Sequence, residues 1–140
     1  MSHILVPMDG SEHAEVALEY ALGHFPEETI TALHVLETPK GYYSALADDM
    51  ESAPPTESKR NEAEELLEDA KEQAKEAGVE IETEIVAGTP ADEILSFAGD
   101  VDADEIVIGS RGISGVGRIV FGSVAEKVVR RSEIPVVVVH

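Results

Sequence analysis

The sequence predicts an α/β fold: an open five-stranded parallel sheet in the order 3-2-1-4-5, with helices on both faces. Short β-branched or apolar runs alternate along the chain with segments whose apolar residues recur every three or four positions. That alternation marks βαβ units, and right-handed crossovers wind such units into a doubly wound sheet. The final run, Ile134–Val139, is apolar throughout, as a strand covered on both faces should be. Five of the chain's 11 glycines fall within residues 109–123, one of the two loops where such a sheet would hold a ligand.

Each element follows from its own signals. His3–Pro7 is a short apolar run closed by proline, hence a first strand. Asp9-Gly10-Ser11 is a turn, and Ser11 is placed to cap the next helix, whose buried face is Ala14, Ala17, Leu18, Ala21 and Leu22. Thr29–Leu36 is the second strand. Thr38–Thr56 has Pro39, Gly41, Pro54 and Pro55 and no sustained period, so it reads as a long loop. Glu57–Ala77 is a helix with Ala63, Leu66, Leu67, Ala70, Ala74 and Ala77 on one stripe, and Gly78 supplies the left-handed residue that ends it. Val79–Ala87 alternates as a third strand. Gly88-Thr89-Pro90 opens another helix, with Thr89 as its cap, Pro90 at its first position, and Ala91, Ile94, Leu95 and Ala98 facing inward. Glu105–Ile108 is the fourth strand. The glycine-rich loop, a helix bearing Val124, Ala125, Val128 and Val129, and the fifth strand complete a single domain, residues 1–140.

Composition sets limits on function. The 140 residues carry 29 Asp and Glu against 10 Lys and Arg, a net charge of −19. A nucleic-acid surface, which needs clustered cations, is not expected. There is no cysteine, which excludes disulfides, thiolate metal sites and a cysteine nucleophile. No apolar run is long enough to span a membrane and the first residues lack a leader's pattern, so a soluble, cytoplasmic protein is expected. The charge is uneven: −6 over residues 1–47, −10 over 48–84 and −3 over 85–140. The acidic middle reads as a solvated helix face. The overall excess, with five Lys against 21 Glu, also suits adaptation to high salt, as in a halophile.

The winding of a 3-2-1-4-5 sheet reverses between strands 1 and 4, so the ligand loops are residues 7–11 and 109–123. Glycines in the second loop let backbone approach a ligand closely. Gly122-Ser123 stands at a helix start, where unpaired amides and the positive end of the helix dipole attract phosphate. Arg111 and Arg118 add charge suited to a polyphosphate. There is no G-x-x-x-x-G-K-[ST], so a P-loop is excluded. Dinucleotide binding is unsupported, because no G-x-G-x-x-G follows the first strand. The five histidines, His3, His13, His24, His34 and His140, have no metal-site spacing and read as scattered surface or strand-end residues. Glu12, Glu15 and Glu19 read as a solvated stripe. No metal site is expected from protein ligands alone.

The spacing Gly109-x2-Gly112-x9-Gly122-Ser123 resembles the ATP-binding motif of the universal stress protein family. Val6-Pro7-Met8-Asp9-Gly10-Ser11, Leu33-His34-Val35, Gly88-Thr89-Pro90 and Pro135–Val139 are similar to its other signatures. The likeness spans nearly the whole chain and is weakest near residues 38–58. The resemblance implies a Rossmann-like fold of the adenine nucleotide alpha hydrolase type, ATP as ligand with Mg or Mn accompanying it, and a homodimeric stress-response module. It implies that Pro7 and Asp9 line the nucleoside pocket and that Val35 backbone groups pair with the adenine edge. Ile108, Gly109 and Gly112 would approach the ribose and phosphates, and Gly122, Ser123 and Val124 would hold phosphates. Arg111 occupies a variable motif position, so its phosphate role is inferred from its charge. Asp9 also suits a purely local turn role.

Ile134–Val139 is both apolar and at the predicted sheet edge, an aggregation hazard that pairing with a second copy would remove. The resemblance points to the same homodimer contact. Two other readings stand beside a nucleotide-binding module: a slow ATPase or phosphoryl-transfer enzyme, and a dimeric stress protein that binds no nucleotide. The glycine-rich loop contains Ser110, Ser114 and two arginines but no carboxylate or histidine, so no catalytic residue is assigned and at most weak hydrolysis is expected.

Overall fold

The computed structural model describes residues 2–37, 57–110 and 122–140. The elements run β1 (His3–Pro7), α1 (Glu12–His24), β2 (Thr29–Glu37), α2 (Glu57–Glu76), β3 (Glu82–Gly88), α3 (Pro90–Asp100), β4 (Glu105–Gly109), α4 (Ser123–Arg131) and β5 (Val136–Val139). The five strands form one parallel sheet in the order β3-β2-β1-β4-β5, as the alternation of elements predicts.

Side-chain alternation along the strands divides the interior into two cores. Ile4 and Val6 of β1, Ile30 and Ala32 of β2, and Val107 of β4 face α1 and α2. Leu5, Leu33, Ile106 and Ile108 face α3 and α4. α1 meets the sheet through Ala14, Ala17 and Ala21, all but inaccessible to solvent. These short side chains bring its backbone close. A Cβ built on Gly109 would lie 2.6 Å from the His13 carbonyl carbon and oxygen. Gly109 is therefore required by the packing of α1 on β4.

The end of α2 follows its sequence closely. Gly78, with φ +76°, donates to Lys75 O at 2.9 Å, and the Val79 N–H donates to Ala74 O at 2.9 Å, a Schellman closure. That closure explains two departures from expectation. Ala77 is exposed, outside the buried stripe. β3 begins at Glu82 and not Val79, because Val79 spends its amide on the helix end. Leu66 is half-buried. Thr89 does occupy the N-cap of α3, with Pro90 in the first turn, but its side chain makes no capping hydrogen bond.

β5 is shorter than expected, Val136–Val139, and all four valines are half-buried. Val137 and Val139 pack on one core, Val136 and Val138 on the other. Both faces are thus covered in part, but among the described residues the strand lies at the sheet edge with a neighbour on one side only. No described helix is long and apolar enough to cross a membrane. The expectations about residues 38–56, Arg111, Gly112, Ser114 and Arg118 fall outside the described residues.

Candidate functional site

At the carboxyl ends of β1, β2 and β4 lies a cavity of about 340 Å³. It sits at the winding reversal, where an open α/β sheet leaves a crevice. Its floor is the ends of the strands, one side is the first turns of α2, and the other is the start of α3 and α4. Of the residues singled out from sequence, Pro7, Asp9, Val35, Ile108, Gly109 and Val124 all line it.

The β1–α1 turn is built by local hydrogen bonds. Gly10 takes φ +84°, which only glycine adopts without strain. Asp9 Oδ1 accepts from the Ser11 amide at 2.9 Å and from the Ser11 hydroxyl at 2.5 Å. The Ser11 oxygen in turn accepts from the Ala14 amide at 3.2 Å, capping α1. Asp9 thus shapes the turn, and its residue also borders the cavity.

Val35 owes its place in the wall to strand lengths. β1 ends at Pro7, opposite Leu33, while β2 continues to Glu37. The Leu33 carbonyl accepts from the Met8 amide at 2.8 Å, so Leu33 turns its polar groups toward β1. Two residues on, Val35 turns its amide and carbonyl the same way, past the end of β1 and against the cavity. A donor and an acceptor thus lie side by side in the sheet plane.

The two ends of the glycine-rich segment meet. The Ser110 amide donates to Val139 O at 2.8 Å, and the Gly122 amide donates to Ser110 O at 2.8 Å. Ser110 is completely buried. Gly122 is the N-cap of α4 and Ser123 its first residue. They are absent from the wall itself, but Val124 and Ala125, next in sequence, belong to it. The first amide to bond back within α4 is that of Glu126, to Gly122 O at 3.0 Å. The amides of Ser123, Val124 and Ala125 precede it and are the helix's natural anion-facing donors.

Sequence reasoning missed several wall residues. Lys59, Glu62, Ala63 and Leu66 form one face of the first turns of α2, at intervals of three and four. The stripe through Ala63 and Leu66 extends backward to Lys59 and Glu62, which was the available signal. Leu66 is half-buried because its stripe continues into the cavity. His34, read as one of the scattered surface or strand-end histidines, lies toward the end of β2 and is also in the wall, and its Nδ1 bonds Met8 O at 2.7 Å. Among the described residues, the charged wall groups are Asp9, Glu37, Glu62 and Lys59, an acidic balance. No three described Asp, Glu or His side chains cluster as metal ligands.

The model of the universal stress protein family matches residues 1–140. The chain belongs to this family. A universal stress protein of Methanocaldococcus jannaschii is 36% identical over 138 residues, covering 97% of this chain and 80% of that one. Among solved structures, the universal stress protein of Archaeoglobus fulgidus in complex with dAMP is similar, with TM-score 0.77 and 27% identity. That match covers 100% of this chain and 98% of that one. A universal stress protein in complex with cAMP matches with TM-score 0.69 and 27% identity, covering 99% of this chain and 96% of that one.

Proposed function

We propose that this universal stress protein binds an adenine nucleotide, ATP in the first instance, in the cavity at the ends of β1, β2 and β4, and acts as a homodimeric regulatory module. One observation carries the reading: the Val35 donor–acceptor pair lies at one part of the cavity while the start of α4 lies at another. The Val35 amide would donate to the adenine ring and its carbonyl would accept from the exocyclic amine. The amides at the start of α4 would receive phosphate, with Gly122 and Ser123 closest in sequence. Pro7 and Ile108 would flank the nucleoside. The dAMP and cAMP bound by the two relatives support adenine as the base.

The acidic balance of the described wall matters for the phosphates. Asp9, Glu37 and Glu62 outnumber Lys59, so a triphosphate needs added positive charge. Arg111 and Arg118 are the chain's own candidates, and a divalent cation such as Mg or Mn is the other. Asp9 is the carboxylate we assign to meet that cation through water. The test is to denature purified protein, identify released nucleotide by chromatography, and titrate the emptied protein with ATP, with and without Mg. Binding of ATP, lost in Gly122→Val because a branched side chain crowds the start of α4, supports the reading. No nucleotide released and none bound, or full affinity in Gly122→Val, refutes it.

A further inference from the structure

The β1–β2 ladder stops at Met8, and a side chain occupies the place of its next rung. In a parallel pair, a residue facing its neighbour strand donates to one residue there and accepts from the residue two positions further on. Met8 follows the first half, its amide donating to Leu33 O at 2.8 Å. The second half would bring the Val35 amide onto the Met8 carbonyl. Among the described residues that bond is not formed, and the carbonyl accepts instead from His34 Nδ1 at 2.7 Å. A carbonyl oxygen only accepts, so Nδ1 carries the proton of this bond. Met8, His34 and Val35 all border the cavity.

We propose that His34 is a positioning residue for base recognition: by occupying the Met8 carbonyl, its imidazole keeps the Val35 amide directed to the cavity, where it donates to N1 of an adenine. The inference rests on the nucleotide reading above and deepens it. Without the imidazole, the Met8 carbonyl loses its donor, and the nearest replacement along the ladder is the Val35 amide. Closing that rung satisfies the carbonyl and withdraws the donor from the ligand. The Val35 carbonyl still faces the base, so what is lost is the contact to N1 in particular.

The experiment compares AMP with 1-deaza-AMP, which lacks the N1 acceptor, by calorimetric titration of the full chain. The unsubstituted protein should prefer AMP by about tenfold, the worth of one hydrogen bond of ordinary strength. In His34→Ala, AMP affinity should fall by about that factor and the two ligands should bind alike. His34→Asn should restore the preference, since its amide nitrogen can donate from nearly the position of Nδ1. In ligand-free protein, exchange of the Val35 amide should slow at least several-fold in His34→Ala as the rung closes. A merely structural role would weaken both ligands equally and leave the preference intact. A preference kept in His34→Ala, or an unchanged Val35 exchange rate, overturns the proposal while the nucleotide reading stands. An unsubstituted protein that binds no AMP removes both.

Discussion

Gly109→Ala should destabilise the protein by crowding a helix against a strand. The added Cβ would stand 2.6 Å from both the carbonyl carbon and oxygen of His13 and 2.9 Å from His13 Cβ. Two of these three atoms are backbone, so no side-chain rotation relieves the contact. α1 must lift from β4, loosening Ala14, Ala17 and Leu18, which are at most 3% exposed. Overpacking of this kind costs about 1–3 kcal/mol. For a domain of this size that corresponds to a fall in Tm of about 3–12 °C. The assay is thermal and urea unfolding beside Gly23→Ala, an α1 substitution with nothing within 4 Å of the new Cβ. Gly23→Ala should be neutral or stabilising by up to about 1 kcal/mol, because alanine suits a helix better. A Gly109→Ala protein with the Tm of the unsubstituted chain would refute the packing argument and return Gly109 to a role in ligand approach alone.

Other outcomes follow from the same geometry. Ser11→Ala removes the α1 cap and one of the two bonds between Ser11 and Asp9. It should cost about 1 kcal/mol in urea unfolding, and stability unchanged within error would contradict the capping role. Pro135 O accepts from Ile106 of β4 and Val139 O from Ser110 just beyond it, so by alternation Val136 and Val138 direct their amides to the open edge. If that edge pairs with a second copy, sedimentation should give a dimer of the 15.0 kDa chain and Val138→Pro, which deletes one outward donor, should shift it toward monomer. A dimer of unchanged strength would place the interface elsewhere. The net charge of −19 predicts that stability rises with KCl toward 1 M, where the screening length is about 3 Å. A flat or falling unfolding midpoint would sink the idea of salt adaptation.

The sheet order was legible because it follows from local signals. Apolar periodicity separates helix from strand, and handed crossovers leave few ways to connect them. The Asp9-Gly10-Ser11 turn was legible for the same reason: its bonds join residues within three positions of one another. The resemblance placed Pro7, Val35 and Val124, and the fold brings them to one cavity. The ends of strands were less legible, because Val79 and Ile81 have strand character but precede the ladder.

By itself, the sequence determined the alternation of elements, the position of the winding reversal and the residues able to turn tightly there. Only the tertiary structure decided what each of those residues meets. Gly109 looked like a ligand-facing glycine; it does border the cavity, and the space a Cβ would need is also filled by the His13 backbone. His34 looked incidental, and its imidazole takes the carbonyl that would otherwise continue a ladder. Lys59 and Glu62 looked like part of a solvated face, and the approach of α2 to the strand ends makes them a wall. The physical reason is common to all three. Periodicity records which way a side chain points from its own element, whereas a site depends on where neighbouring elements stop, and here β1 stops at Pro7 while β2 runs on to Glu37.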